Sequence, residues 1–362
     1  MNSWLKNALY RIEADYQRSS DTHLVRVDLP QAGNVALYLK DESTHPTGSL
    51  KHRLARSLFL YGLCNGQINE GTTIVESSSG NTAISEAYFA QLLGLPFVAV
   101  VPKDTSQQKV DKIGFYGGKC HFVEGRQIYA EAARLAKERG GHYMDQFTYA
   151  ERATDWRGNN NIAESIFNQM KFEPTDVPTW IVVSAGTGGT SSTIGRYIRY
   201  KAYATQLCVA DPANSVFFDY YKTNDCSLTL ECGSNVEGIG RPRVEPSFNC
   251  ALVNRMIKVP DAATYATLRF LERVLGRRCG GSTGTNVYAA LQIIAGLKET
   301  GQAASVVSMI CDGGERYLDT YYNDAWLAEH GFDLRPYTEQ LNAFHEKGVW
   351  QALSCEEHDH GA

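Results

Sequence analysis

Three things are missing from this chain. It has no apolar run long enough to cross a bilayer, since the longest stretches, such as Phe97-Val98-Ala99-Val100-Val101, are only strand-sized. It has no block of like charge: 35 Lys and Arg against 40 Asp and Glu leave a net charge of −5. That balance gives no footing to a nucleic-acid or polyanion partner. And its nine cysteines include no C-x-x-C pair. An odd, scattered set reads as reduced thiols in a cytoplasmic protein, with neither a disulfide framework nor a metal cluster. Met1–Lys6 carries no apolar signal segment, and there is no internal repeat or low-complexity tract. The stretch Glu356-Glu357-His358-Asp359-His360 has metal-binding residue types, but a frayed, solvated terminus accounts for it better.

What is present is a globular composition, 43% hydrophobic and 21% charged over 362 residues, enough for two lobes with cores of their own. Short β-branched or apolar runs at 35–40, 72–76, 97–101, 119–123, 179–184, 206–210 and 305–311 predict strands. Helix-length amphipathic patterns at 82–93, 127–139, 161–170, 192–203, 262–275 and 286–298 lie among them. This alternation predicts an α/β protein with largely parallel sheets covered by helices. Gly- and Ser-rich punctuation follows three of the strands, at Ser77–Gly80, Ala185–Gly189 and Asp312–Gly314. In open α/β sheets ligands bind at that edge. The polar stretch Tyr149–Asn161 suggests a lobe boundary, and Lys222–Pro246 a long functional loop.

Four stretches carry chemistry. In His45-Pro46-Thr47-Gly48-Ser49-Leu50-Lys51-His52-Arg53, a turn leads into a helix marked by Leu50, Leu54 and Leu58. Lys51 falls in the first turn, where the positive end of the helix dipole disfavours its ammonium, and a free amine can form a Schiff base. Taken alone, an ordinary surface lysine explains it better. Ser77-Ser78-Ser79-Gly80-Asn81-Thr82 places hydroxyls, amides and a carboxamide at a helix start, a seat for a carboxylate. A serine-rich N-cap accounts for it equally well. Gly186-Thr187-Gly188-Gly189-Thr190 offers consecutive amides at another helix start. It lacks the patterns of dinucleotide and ATP loops, so a single phosphate monoester suits it better, although a glycine-rich turn is a weak signal by itself. Cys279-Gly280-Gly281-Ser282-Thr283-Gly284-Thr285 is, seen alone, a tight capped turn.

An imine-forming lysine together with a cradle for one phosphate points to pyridoxal phosphate. With all four motifs in order, residues 20 to 325 resemble the cysteine synthase and cystathionine β-synthase group of fold-type II pyridoxal-phosphate enzymes. The resemblance implies a two-lobed fold like the tryptophan synthase β subunit. It places residues 1–44 and 156–362 in a larger lobe and 45–155 in a smaller one.

The family's Pro-x-x-Ser-x-Lys turn matches Pro46–Lys51 and makes Lys51 the Schiff-base lysine and the base for the α-proton. Its Ser-Gly-Asn-Thr loop implies that Asn81 holds the cofactor's ring hydroxyl and that Ser78, Ser79 and Thr82 receive the substrate carboxylate, with Gln146 of Gln146-Phe147 reaching the same group. Gly186, Thr187, Gly188, Gly189 and Thr190 become the phosphate loop, and Ser282 the partner of the pyridine nitrogen. A hydroxyl there cannot keep the ring protonated as a carboxylate would, which favours rapid loss of a β-leaving group over transamination.

The chain departs from the biosynthetic synthases in three places. His45 stands before Pro46 where they usually have Asn, and His52 follows the lysine where they usually have Asp. The loop beginning Glu237-Gly238-Ile239-Gly240 continues with Arg241-Pro242-Arg243-Val244-Glu245-Pro246. These features look more like the bacterial L-cysteine desulfhydrase branch, which splits cysteine into sulfide, pyruvate and ammonia. Arg241 and Arg243 are candidates for closing the site or steering an anionic substrate, and a solvated loop explains them at least as well. The expected protein is a cytoplasmic homodimer acting on a free amino acid, with no nucleic-acid, membrane or metal partner. Neither a tandem regulatory domain nor a haem-binding extension is expected. A cysteine synthase acting on O-acetylserine is the second reading. A serine or threonine dehydratase and a non-catalytic metabolite-binding relative are weaker ones.

Overall fold

The computed structural model describes residues 3–18 and 20–353, so the acidic tail considered above lies outside the described residues. Ten strands are found among the described residues: β1 His23–Val27, β2 Val35–Asp41, β3 Ile74–Glu76, β4 Phe97–Pro102, β5 Lys119–Val123, β6 His142–Tyr143, β7 Trp180–Ser184, β8 Gln206–Pro212, β9 Arg255–Val259 and β10 Ala304–Ile310. The chain divides into two compact units, Met1–Asp21 with Thr44–Asp155 and Thr22–Ser43 with Trp156–Ala362.

The first unit is built on a four-stranded sheet of order β5-β4-β3-β6, parallel throughout. The two central strands, β3 and β4, are buried along almost their whole length, which a sheet tolerates only when helices cover both faces. On one face the helices Ser3–Gln17, Lys51–Cys64 and Asn81–Leu93 bring Ile12, Phe59 and Phe89 onto Ile74, Phe97 and Ala99. On the other, Val75, Val98 and Val100 meet Ala132, Leu135 and Ala136 of the helix Ile128–Glu138. Residues 1–21 belong to this unit, not with the larger one as the sequence reading placed them. Trp4, Leu5, Ala8, Leu9 and Ile12 form one helical face, and its apolar area is buried in this core.

The second unit has a six-stranded sheet of order β1-β2-β10-β7-β8-β9. Only the β1–β2 pair is antiparallel, with His23 opposite Asp41 and Val27 opposite Leu37. The other pairs are parallel, and β10 runs beside β2 from Ala304–Val35 to Ile310–Asp41. Leu37, Leu39, Val182, Val306 and Ile310 pack with the helices Asp261–Leu275 and Gly281–Glu299. Each buried side chain of this size contributes about 1.5–3 kcal/mol.

Strands β1, β6 and β9 are absent from the sequence reading. β6 is two residues long and exists only because His142 and Tyr143 pair with Ile74 and Val75, a relation no local pattern encodes. The three punctuated turns follow the carboxyl ends of β3, β7 and β10.

Candidate active site

The candidate residues form two sets, one in each unit. In the first unit, Gly48 adopts φ +74°, a left-handed conformation that suits glycine, and its amide donates to the His45 carbonyl at 2.8 Å. The turn delivers Lys51 as the first residue of the Lys51–Cys64 helix. Beside it a buried polar chain ties the turn to the Asn81–Leu93 helix: the Thr47 hydroxyl lies 3.2 Å from His52 Nδ1 and 2.9 Å from the Ser85 hydroxyl.

The serine loop leaves β3 at Glu76, and the next helix opens at Asn81. Thr82 Oγ1 donates to Gln146 Oε1 at 2.7 Å, so two residues matched to the substrate carboxylate are joined directly. Glu76 links the same parts from behind. Its Oε1 accepts from the Ser77 amide at 2.6 Å and the Ser77 hydroxyl at 3.1 Å, and its Oε2 from the Gln146 amide at 3.2 Å. Burial pushes the Glu76 carboxyl up to about 7 although these amides hold it down. Glu86, on the same helix face as Thr82, is wholly buried, and its carboxyl lies well above the usual range, through burial first and the neighbouring Glu76 second. Sequence reading passed over both. The available signal for Glu86 was the one charged residue inside the largely apolar run Ala83–Leu93.

In the second unit, Gly186–Thr190 runs from the end of β7 into the helix Gly189–Lys201. Gly188 has φ +86°, and a Cβ there would lie 2.5 Å from the Phe248 Cα. At Gly186 a Cβ would lie 2.2 Å from the Gly238 carbonyl oxygen. The loop therefore requires glycine at both positions, and it leads into a helix whose first turn can receive an anion. The hydroxyls of Ser191 and Thr193 donate to the Gly188 and Gly189 carbonyls, and the Gly189 amide donates to the Thr187 hydroxyl at 3.2 Å, so the loop is braced by its own side chains.

Ser282 is buried in the first turn of the Gly281–Glu299 helix. Its approach is fixed by the Gly280 amide donating to the Asp312 carbonyl at 3.0 Å. Tyr317 donates to Asp312 Oδ2 at 2.8 Å and stacks on Tyr321, ring centroids 4.8 Å apart. Tyr321 in turn accepts from the Glu237 amide at 2.8 Å and donates to the Asn235 carbonyl at 2.9 Å. These tyrosines carry no motif, so the sequence reading missed them. Burial pushes the neighbouring Cys279 thiol up to about 12, which makes it inert. Arg241 and Arg243 both donate through Nε to Glu245 Oε1, at 2.9 and 3.2 Å, and Glu245 is buried. They neutralise an interior carboxylate.

An amine at a helix start, a hydroxyl-and-carboxamide seat and a glycine-rich loop at a helix start are the equipment of an enzyme that works with an aldehyde-bearing phosphate ester. The chain belongs to the pyridoxal-phosphate dependent enzymes, whose family model matches residues 17–312. It is 60% identical over 353 residues to the L-cysteine desulfhydrase Cds1 of Mycobacterium tuberculosis, covering 96% of each chain. It is 27% identical over 331 residues to a cysteine synthase of Dictyostelium discoideum, covering 87% of this chain and 85% of that one. Its fold matches the crystal structure of O-ureido-L-serine synthase with a TM-score of 0.71 at 27% identity, over 85% of this chain and 96% of that one. Among the described residues no helix is long and apolar enough to cross a membrane.

The residues present fit the family's cofactor. The loop at the head of the Gly189–Lys201 helix suits one phosphate group, because the first turn of a helix presents amides that have no carbonyl partner within it. Lys51 supplies a primary amine, and Ser282 a neutral hydroxyl for a ring nitrogen.

Proposed function

We propose that this protein is a pyridoxal-phosphate dependent L-cysteine desulfhydrase, which eliminates sulfide from L-cysteine and yields pyruvate and ammonia. The observation that carries this reading is the 60% identity to a desulfhydrase along 96% of the chain, against 27% to a cysteine synthase. Pyridoxal phosphate, when bound, supplies the carbonyl that captures amines and the electron-withdrawing ring that acidifies a substrate's α-hydrogen. In this reading Lys51 Nζ anchors that carbonyl and serves as the base for the α-proton. Asn81 holds the ring hydroxyl, and the amides of Gly186, Thr187, Gly188, Gly189 and Thr190 hold the phosphate. Ser282 meets the pyridine nitrogen with a hydroxyl that does not protonate it. Ser78, Ser79, Thr82 and Gln146 orient the substrate carboxylate, with the Thr82–Gln146 hydrogen bond fixing two of them in advance.

The same reading has the enzyme acting in the cytoplasm as a homodimer, supported by the family resemblance. The test supplies L-cysteine alone to the purified, cofactor-loaded protein and follows pyruvate and sulfide. A parallel reaction supplies O-acetylserine with sulfide and follows cysteine. Fast pyruvate with little cysteine synthesis is the expected result; the reverse makes the protein a synthase.

A further inference from the structure

Glu76 and Glu86 have no metal or catalytic assignment, yet they form a buried carboxyl pair directly behind the carboxylate seat. Both are 0% exposed. Glu76, at the end of β3, accepts three hydrogen bonds, two from Ser77 and one from Gln146. Glu86, on the Asn81–Leu93 helix, differs: no N–H or hydroxyl donor reaches either of its oxygens. The group that acts on it most strongly, after burial itself, is another acceptor, the Glu76 carboxyl. Two carboxyl groups can hydrogen-bond to each other only by sharing a proton, and two bare carboxylates in contact inside a protein cannot both ionise. The remaining charges acting on the pair are Lys51, which acts on Glu86, and Asp145, which acts on Glu76. The phenol of Tyr143 lies 2.7 Å from the Ser77 hydroxyl. Glu76, with three donors, is the better seat for the negative charge, and Glu86, with none, for the proton.

We propose that Glu86 carries a proton and donates it to Glu76, and that this shared proton makes Glu86 a positioning residue for the substrate-carboxylate seat. The logic runs through Glu76. That side chain holds the Ser77 end of the serine loop and the Gln146 end of the opposing helix, and Gln146 meets Thr82. A proton on Glu86 gives Glu76 a fourth partner and keeps the pair at one negative charge. A second bare charge behind the seat would repel the incoming carboxylate. The positioning role rests on the functional reading above; the location of the proton does not.

The experiment combines infrared spectroscopy and kinetics on the holoenzyme. In protein labelled with 13C at glutamate carboxyls, which separates this pair from buried aspartates, a protonated-acid carbonyl stretch is expected at mildly alkaline pH. It is expected to vanish in Glu86→Gln. Glu86→Leu is expected to raise KM for L-cysteine about tenfold with kcat within about threefold. Glu86→Gln, whose amide N–H replaces the acid O–H, is expected to restore KM to within about twofold of wild type. A wild-type spectrum without the band, or a band that persists in Glu86→Gln, overturns the proton assignment. A Glu86→Leu protein with wild-type KM, or a Glu86→Gln protein as impaired as Glu86→Leu, overturns the positioning role. If the band follows Glu86 but the wild type makes no pyruvate from cysteine, the functional reading fails and the proton assignment stands.

Discussion

His45 and His52 stack on each other, with ring centroids 4.9 Å apart and planes 21° from parallel. They are two of the positions at which the chain departs from the synthase pattern, and the fold makes them one feature. The turn before Lys51 brings His45 back over the first turn of its helix, where His52 also packs on Phe89 at 4.9 Å. His52→Asp, which restores the residue usual in synthases, puts a carboxyl into this buried aromatic setting. The expected outcome is a loss of about 2–3 kcal/mol of stability, read by thermal unfolding, with no gain in cysteine synthesis.

Lys51→Ala removes the amine from the head of its helix. Pyruvate formation from cysteine is expected to fall by about 10²–10⁴-fold, and the visible band of the lysine–pyridoxal imine to disappear. Full turnover in this variant overturns the enzymatic role of Lys51.

Gly188→Ala tests the phosphate loop. With φ at +86° and the Phe248 Cα 2.5 Å from the new methyl, the loop must move. Cofactor affinity, measured by titrating the apoprotein with pyridoxal phosphate, is expected to drop at least tenfold. Gly276→Ala is the control: its φ of +68° is also left-handed, but no atom lies within 4 Å of the new methyl. That variant should cost about 1 kcal/mol of stability and leave affinity unchanged.

Replacing both Arg241 and Arg243 with alanine removes the two guanidinium groups on Oε1 of the buried Glu245. A destabilisation of about 3–5 kcal/mol is expected. If the arginines steered substrate instead, kcat/KM would lose its dependence on salt while the unfolding temperature stayed put.

Asp211 provides a pH test remote from the chemistry. Burial pushes its carboxyl up to about 7 from the ordinary 3.8, while the Ser215 hydroxyl and Phe218 amide oppose that shift. A carboxyl raised on folding binds its proton more tightly in the native state. Its stabilising contribution is therefore full below about pH 4 and is lost as pH rises through about 7, on the order of 4 kcal/mol. The wild-type unfolding temperature is expected to fall from pH 5 to pH 8, and Asp211→Asn to fall less.

Much was legible in the sequence because much of it is local. The amphipathic periods located the helix Asn81–Leu93 within one residue, and apolar runs located β4, β5 and β7 nearly to their ends. The four motifs are turns between adjacent elements, so residue type and spacing suffice to place Lys51 at a helix start and glycines in the loop after β7. Tertiary packing decided the rest. The Ser3–Gln17 helix joined the smaller unit because Ala8 and Ile12 fit that core, a choice its own amphipathic pattern leaves open. β6 needed β3 beside it. Arg241 and Arg243 allow either a site-closing or steering role or a solvated loop by sequence, and it is Glu245 beneath them that gives both a partner. Glu76, Glu86 and Gln146 lie on β3 and two different helices, so only the folded chain sets the acid pair behind the serine loop. Local preference acts over a few residues, whereas burial and shared hydrogen bonds act between segments far apart in the chain, and the latter determined how the seat is held.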